Sequence, residues 1–221
     1  SLEPEVCKVV VNINAARFDD EHEQVLTTLK RLGNRVVPGI TLTSPNFSLE
    51  EPVSAIETYG LCRSIRLGIS HPTWLGNNRS LHPKRYTAVG QTLYEQSFMT
   101  AERGIKLEAD CGFVRCMFGH HFDEMVSNGF HYNSKCTPVL DLCCDGVILP
   151  CFALSNLVSV KGGDFSDAQE VYRQMTELLK PWHTFGIYPE CAACPYFETE
   201  ECCGGCLAAR LRRLMPIRNE I

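Results

Sequence analysis

The sequence contains no apolar run that could cross a membrane and no recognisable export signal. A spanning helix needs roughly 18 or more consecutive apolar residues. The N-terminal stretch SLEPEVCKVVVNINAAR has no basic region followed by an apolar core. The net charge of −5 provides no general attraction for nucleic acid or an anionic membrane. We therefore expect a cytoplasmic protein that binds neither membranes nor nucleic acid.

Two further absences narrow the possible functions. No glycine-rich phosphate loop follows the first predicted strand, so a Rossmann or P-loop nucleotide site has no support. Cysteine is scarce in the first half of the chain, where only Cys7 and Cys62 precede residue 111. The other eleven of the 13 cysteines lie between residues 111 and 206. Cysteine chemistry is therefore expected in the second half of the chain.

A disulfide framework is the less favoured explanation of these cysteines. Disulfides usually stabilise exported domains of fewer than about 80 residues, which cannot build a sufficient core. This chain has 221 residues, 44% of them hydrophobic, and an odd number of cysteines. We therefore favour thiolate ligation of a metal ion or cluster.

Four predicted strands in the first 130 residues are each followed by a predicted helix. The strands are residues 8–14, 35–43, 64–70 and 105–110. Four β–α units in series predict an α/β fold with a parallel sheet and right-handed crossovers. Four strands are too few for a closed barrel, which needs about eight. An open doubly wound sheet and a section of a (β/α) barrel are both compatible with this pattern.

One face of each predicted strand becomes polar toward its C-terminal end, where α/β folds place their ligands. Strands covered on both faces have nearly continuous apolar sequences, so this pattern predicts a lumen that holds a polar group. The alternative is that these side chains cap turns or face solvent. The candidate contacts for a cofactor or substrate are Asn12, Asn14, Thr41, Ser70 and Asp110.

The sequence pattern changes after Gly129, which predicts a boundary between a domain of residues 1–130 and a cysteine-rich α+β domain of residues 131–221. Within the second domain, two short strands should flank the turn Asp145–Gly146. Within residues 164–182, one amphipathic helix should begin after Phe165 and end before Pro181, and residues 207–214 should form a short second helix.

Closely spaced cysteines occupy the stretch ECAACPYFETEECCGGC, residues 190–206. Cys191 and Cys194 form a C-x2-C pair, Cys202 and Cys206 a C-x3-C pair, and Cys203 and Cys206 a second C-x2-C pair. Such spacing lets one turn present two thiolates to the same metal centre. Two pairs so close together strongly indicate a metal or cluster site.

A longer cysteine pattern includes these pairs. Cys136 is followed after nine residues by Gly146 and after four more by Cys151, giving C-x9-G-x4-C, a gap, C-x2-C, seven residues and C-x3-C. This string resembles the SPASM pattern of radical S-adenosylmethionine (SAM) enzymes, which binds auxiliary iron–sulfur clusters. The segments DGVILPCFAL, CCGGCLAARLR and ADCGF are similar to that family as well.

The resemblance implies a partial (β/α) barrel of about four parallel β–α units followed by a SPASM-like domain with auxiliary [4Fe–4S] clusters. Such enzymes modify peptide or protein substrates, and SAM would be the cofactor of the full-length parent. The auxiliary clusters would accept electrons or help to place the substrate. By resemblance, the ligands of the two clusters would be Cys136, Cys151 and Cys206 for one and Cys191, Cys194 and Cys202 for the other. Additional ligands could come from Cys116, Cys143, Cys144 or Cys203.

The sequence departs from the family pattern in three respects. It lacks the C-x3-C-x2-C motif that holds the SAM-cleaving cluster, it has seven residues instead of the usual five between Cys194 and Cys202, and no cysteine follows Cys206. We therefore expect the C-terminal part of such an enzyme, or a homologue without the catalytic half. The catalytic residues are not identified.

Two alternatives stay open at this point. A single site could be held by Cys191, Cys194, Cys206 and either Cys202 or Cys203, and zinc suits tetrahedral sulfur ligation as well as iron does. The chain would then be a non-catalytic, zinc-binding α/β interaction module. If the barrel lacks its first strands, the apolar strand at residues 8–14 has an exposed edge, which predicts self-association through that edge or a segment that covers it.

Overall fold

The computed structural model describes residues 8–13, 25, 27, 29–72, 78–155 and 157–214. The chain divides into two compact units. The first unit comprises Ser1–Ser70, Leu81–Asp110 and Arg115–Asn133, and the second comprises His71–Ser80, Cys111–Val114 and Ser134–Ile221. All of the described cysteines except Cys62 and Cys116 belong to the second unit.

The first unit contains a five-stranded parallel sheet, so the chain has an α/β fold. Its strands are β1 (Val9–Asn12), β2 (Val36–Leu42), β3 (Ser64–Ile69), β4 (Lys106–Ala109) and β5 (Phe130–Tyr132). Their order in the sheet is β1-β2-β3-β4-β5, the same as their order in the chain. The four strands predicted from the sequence are present. The fifth was not predicted, because its three residues are too few to show an alternating pattern.

Three helices of the first unit connect these strands: α1 (Glu50–Tyr59), α2 (Tyr86–Glu102) and α3 (Phe122–Ser127). Helix α1 ends where Gly60 adopts a left-handed conformation with φ of 65°, which glycine accepts without steric strain. The helix predicted before β2 lies mostly outside the described residues. No helix in the described ranges combines the length and the apolar character that a membrane span requires.

The register of the sheet separates an apolar face from a polar face. Ile40, Leu67 and Leu107 point to the apolar face and are at most 6% exposed. Ile13 packs against Ala55 of α1 in the core cluster of this face. Each such side chain contributes about 1.5–3 kcal/mol when fully buried, so this face holds the helices on the sheet.

Strand β1 lies at an edge of the sheet within the described residues, where it pairs with β2. Val10 on this strand is 40% exposed. Self-association through this edge stays a prediction.

The second unit contains a small antiparallel sheet. Its strands are β6 (Asp141–Leu142), β7 (Val147–Leu149) and β8 (Val160–Lys161), in the order β6-β7-β8. The predicted hairpin around Asp145–Gly146 is confirmed, and Gly146 has the positive φ of 80° that such a turn requires. Strand β8 was not predicted, because two residues carry no periodic pattern.

Three further helices belong to the second unit: α4 (Ala168–Leu179), α5 (Pro195–Glu198) and α6 (Leu207–Leu214). Helix α4 begins after Asp167, whose carboxylate accepts a hydrogen bond of 2.8 Å from the Glu170 N–H. Val171, Met175 and Leu179 recur every four residues and are buried. The predictions of α4 and α6 are therefore confirmed.

Candidate functional site

The polar face of the first unit brings several predicted contacts together. Thr41 pairs in register with Gly68, and a Cβ atom added to Gly68 would lie 3.9 Å from both Thr41 Oγ1 and Asp110 Oδ2. Arg66 Nε donates to both carboxylate oxygens of Asp110 at 2.7 Å. The carboxyl ends of three neighbouring strands thus share a polar, partly exposed surface at which Gly68 contributes no side chain.

The other predicted contacts of this face do not adjoin Gly68. Asn12 is exposed on the edge strand β1, in register with Gly39. Ser70 directly follows β3 and donates its N–H to Leu42 O at 2.9 Å. Asn14 lies outside the described residues. Arg66 was not among the predicted contacts, because an arginine within a strand carries no sequence signal for an ion pair with a residue 44 positions later.

A first group of thiols forms around Cys206 in the second unit. Burial and, to a smaller extent, Cys206, Cys111 and Cys136 together raise the pKa of Cys151 to about 12, against a backbone hydrogen bond at Leu154 that lowers it. Burial also raises the pKa of Cys136, with Cys206 as the next contribution. Cys136, Cys151 and Cys206 thus form one electrostatically interacting group of thiols, on which Cys111 also acts.

A second group of thiols forms around Cys191. Burial raises the pKa of Cys191, a backbone hydrogen bond at Tyr188 lowers it, and Cys202 and Cys194 raise it. Cys203 interacts with both groups, since both Cys202 and Cys136 contribute to its pKa, which burial raises to about 12. The assignment of these cysteines to two separate clusters stays a prediction.

Helix α6 directs its N-terminus at the first group. Cys206 immediately precedes the helix and is 5% exposed. Backbone hydrogen bonds from Ala208 and Ala209 lower the pKa of Cys206, although burial has the larger effect and raises it. A backbone hydrogen bond from Leu207 acts in the same way on Cys136. The first N–H groups of a helix carry partial positive charge, so this end of α6 favours thiolates over thiols.

Glycines make room for the second group. A Cβ atom on Gly186 would overlap Cβ and Sγ of Cys191. Gly204 has φ of 72°, and its Cβ atom would lie 2.8 Å from both Gly186 Cα and the Phe197 ring. The Gly204 N–H donates to Cys202 Sγ at 3.4 Å. The glycine at position 204 therefore lets two backbone segments approach closely and lets a backbone N–H donate to a cysteine sulfur.

Buried nitrogens without a hydrogen-bond partner accompany the thiols. Within the described residues these are His71 Nδ1, His183 Nε2, and both Nε and Nη2 of Arg210. Arg210 is 1% exposed and lies one helical turn after Cys206. His71 Nε2 lies 3.4 Å from Cys111 O, and a Cβ atom on Gly112 would meet both the His71 ring and Cys206 Cβ. The surroundings of the cysteines are thus rich in unsatisfied donors.

The described thiols do not converge on a common point. Among the described residues, no three His, Cys, Asp or Glu side chains converge closely enough to form a metal site, and no disulfide joins the cysteines. Comparisons with protein-family models, curated proteins and solved structures gave no match. Any functional assignment therefore depends on the geometry of the chain itself.

The remaining candidate ligands lie elsewhere. Cys143 and Cys144 occupy the turn between β6 and β7, where Cys144 is exposed, and Cys116 is an exposed residue of the first unit. Sequence analysis missed His71 and Arg210. The position of Cys111 at the C-terminal end of the fourth predicted strand already made it a possible extra ligand, whereas the burial of Arg210 has no local sequence signal, because arginine in a short helix usually faces solvent.

Proposed function

We propose that the second unit binds auxiliary iron–sulfur clusters, in the manner of the SPASM region of a radical SAM enzyme that modifies a peptide or protein. The observation that supports this proposal is the division of the motif cysteines into one group around Cys206 and another around Cys191. A [4Fe–4S] cluster needs four thiolates. Cys111 would be the fourth ligand of the first group and Cys203 that of the second, once side chains that do not converge on a metal site within the described residues close around the cluster.

The donor set and its surroundings fit a sulfur-ligated, anionic centre. Thiolates are the ligands of iron–sulfur clusters, and backbone N–H groups and buried cations are the groups that stabilise them. Here the N-terminus of α6, the Gly204 N–H and the Arg210 guanidinium supply these donors. When bound, the clusters would supply one-electron redox chemistry, while the protein would hold them and exclude water.

The first unit extends the proposal to a partial (β/α) barrel. Its strands follow chain order without reversal, as in a barrel, whereas a doubly wound sheet reverses its strand order at a switch point. The polar face near Thr41, Gly68 and Asp110 would then bind SAM or the substrate.

The size of the side chain at position 68 tests this role of the polar face. The wild-type chain should bind SAM in equilibrium dialysis, and Gly68→Val should abolish this binding, because the bulkier side chain would block the face.

Anaerobic reconstitution tests the cluster proposal. The wild-type chain, treated with iron and sulfide under reducing conditions, should turn brown and contain iron and acid-labile sulfide. Cys136→Ala/Cys151→Ala should lose about half of this iron, and Cys191→Ala/Cys194→Ala should lose the other half, because each pair belongs to a different group. Cys143→Ala/Cys144→Ala is the matched control and should load as the wild type does.

Two results would contradict the proposal. A colourless wild-type protein that takes up zinc but no iron would favour a zinc-binding interaction module. Equal loss of all metal in both double variants would indicate a single shared site in place of two.

A further inference from the structure

Arg210 poses a problem that the cysteine ligands alone do not solve. Its side chain is 1% exposed, and Nε and Nη2 are buried without a hydrogen-bond partner in the described part of the chain. A buried charge without a partner is strongly unfavourable, so buried arginines are normally paired. Within the described residues, the guanidinium of Arg210 contacts Phe185 and no carboxylate: Nη1 donates to the Phe185 carbonyl, and the guanidinium lies 5.7 Å from the centre of the Phe185 ring.

The surroundings of Arg210 are the thiols of both groups. It follows Cys206 by one turn of α6, and its N–H donates to Cys206 O at 3.0 Å. Phe185, which it contacts, precedes Gly186, the glycine against which Cys191 packs. Burial lowers the pKa of Arg210, and Cys203, Cys136, Cys206 and Cys191 oppose this change in that order. Within the described residues, the groups whose negative charge acts on Arg210 are these thiols, so ionised sulfur would supply the missing counter-charge.

We propose that Arg210 is the electrostatic partner of the sulfur-ligated centre, with Nε and Nη2 donating hydrogen bonds to its sulfur atoms. The inference rests on the proposed function, which supplies the anion. Four thiolates outweigh the positive charge of Zn²⁺ or of an oxidised four-iron core, so either occupant leaves net negative charge beside the guanidinium. Arg210 is a positioning residue in this scheme, because it acts through the ligands and not on a substrate.

This role makes a prediction that a purely structural role does not. Arg210→Met removes the charge and keeps the length of the side chain. In the metal-free protein it should leave the urea midpoint unchanged or raise it, because an unpaired buried charge is replaced by an apolar group. In the metal-bound protein it should weaken binding, because the anion loses its partner.

The probe is Zn²⁺ in competition with a chelator, measured on the reduced, metal-free chain. Arg210→Met should raise the dissociation constant about tenfold or more, the effect of losing a hydrogen bond between charged partners. Arg210→Lys keeps the charge and should stay within about threefold of the wild type. Arg212→Met, on the exposed side of α6, is the matched control for the loss of a cation and should bind as the wild type does.

The iron-loaded protein provides a second readout. A tenfold preference of Arg210 for the more reduced cluster, whose negative charge is larger, corresponds to about 59 mV in a one-electron potential. The midpoint potential of Arg210→Met should therefore be lower than that of the wild type by about this amount.

The outcomes separate this inference from the proposed function. If the wild type binds neither zinc nor iron, both are overturned. If the wild type binds metal and Arg210→Met binds it equally well at an unchanged potential, only the role of Arg210 is overturned. The same conclusion follows if Arg210→Met destabilises the metal-free and metal-bound forms equally, since Arg210 would then serve packing alone.

Discussion

Gly186 provides the sharpest test of how the second group of thiols is built. A Cβ atom at this position would lie 2.3 Å from Cβ and 2.4 Å from Sγ of Cys191. Real Cβ atoms are essentially never closer than 3.0 Å to such a neighbour. One of the colliding atoms belongs to the rigid base of the Cys191 side chain, so a change of rotamer cannot relieve the whole overlap. Gly186→Ala should therefore displace Cys191.

The expected magnitude follows from the size of the overlap. Overpacking by one methyl group in a well-packed region costs about 1–3 kcal/mol. Urea unfolding under reducing conditions, followed through tryptophan fluorescence, should show this loss, because Trp182 belongs to the second unit. Iron or zinc loading of the second group should fall in parallel.

Cys191→Gly supplies the internal check, because it removes both atoms with which the new methyl group collides. Combined with Gly186→Ala, it should recover most of the lost stability, giving a coupling energy of about 1–3 kcal/mol in a double-mutant cycle. Gly163→Ala is the control, since a Cβ atom there has no neighbour within 4 Å. A Gly186→Ala variant as stable as the wild type would refute the packing described for this segment, as would a cost unaffected by Cys191→Gly.

Three further predictions concern other parts of the chain. Gly90→Ala in α2 should lower the free energy of unfolding by at least about 1 kcal/mol despite the better helix propensity of alanine, because its Cβ atom would overlap the Met117 carbonyl; a neutral or stabilising result in urea unfolding would contradict this. Asp167→Ala should cost about 1 kcal/mol through loss of the α4 N-cap, whereas Asp167→Asn should cost clearly less; equal losses in the same assay would exclude the cap as the cause. Burial and the charge of Arg210 lower the pKa of His183 from 6.5. The unfolded chain therefore binds the proton more readily, and the stability falls as the pH drops below about 6.5. His183→Gln should flatten this dependence in urea midpoints measured from pH 7.5 to 5, and curves for the variant and the wild type that run parallel would refute the assignment.

The strands and helices with clear periodicity could be predicted from the sequence. Residues 36–42 and 64–69 carry β-branched and apolar side chains on a face that the structure buries, and Val171, Met175 and Leu179 recur at helical spacing. These patterns are local, so the sequence displays them directly. Strands β5 and β8 were not predictable in this way, since their pairing depends on neighbours distant in the chain.

The candidate site shows the same division between local and distant information. The spacing of Cys191 and Cys194 is a local motif that can be seen without knowledge of the fold, and the metal ligation that it indicates stays a prediction. The approach of Cys111 to Cys151 joins residues 40 positions apart, and no motif encodes it. Arg210 was missed for a different reason. An arginine in a short, charged helix has the sequence pattern of a solvent-exposed residue, and its burial depends on the tertiary structure.

The distribution of unsatisfied polar groups links the fold to the proposed function. All the buried side-chain nitrogens that lack a hydrogen-bond partner in the described residues belong to His71, His183 and Arg210 of the second unit. Each such group costs about 1–3 kcal/mol, and more if it is charged, against a typical total stability of about 5–15 kcal/mol. In the first unit Ser64 Oγ is also buried without a hydrogen-bond partner among the described residues, whereas Arg66 on the polar face of the sheet is paired with Asp110.

The second unit is therefore expected to gain much of its stability from whatever accepts these hydrogen bonds. Thiols that burial keeps protonated are poor acceptors, whereas metal-bound thiolates are good ones. Binding of the centre would ionise the cysteines, give Arg210 its counter-charge and satisfy its donors in one step. Folding of the second unit and loading of the centre should thus be thermodynamically coupled, with the urea midpoint of this unit rising with metal concentration while that of the first unit does not.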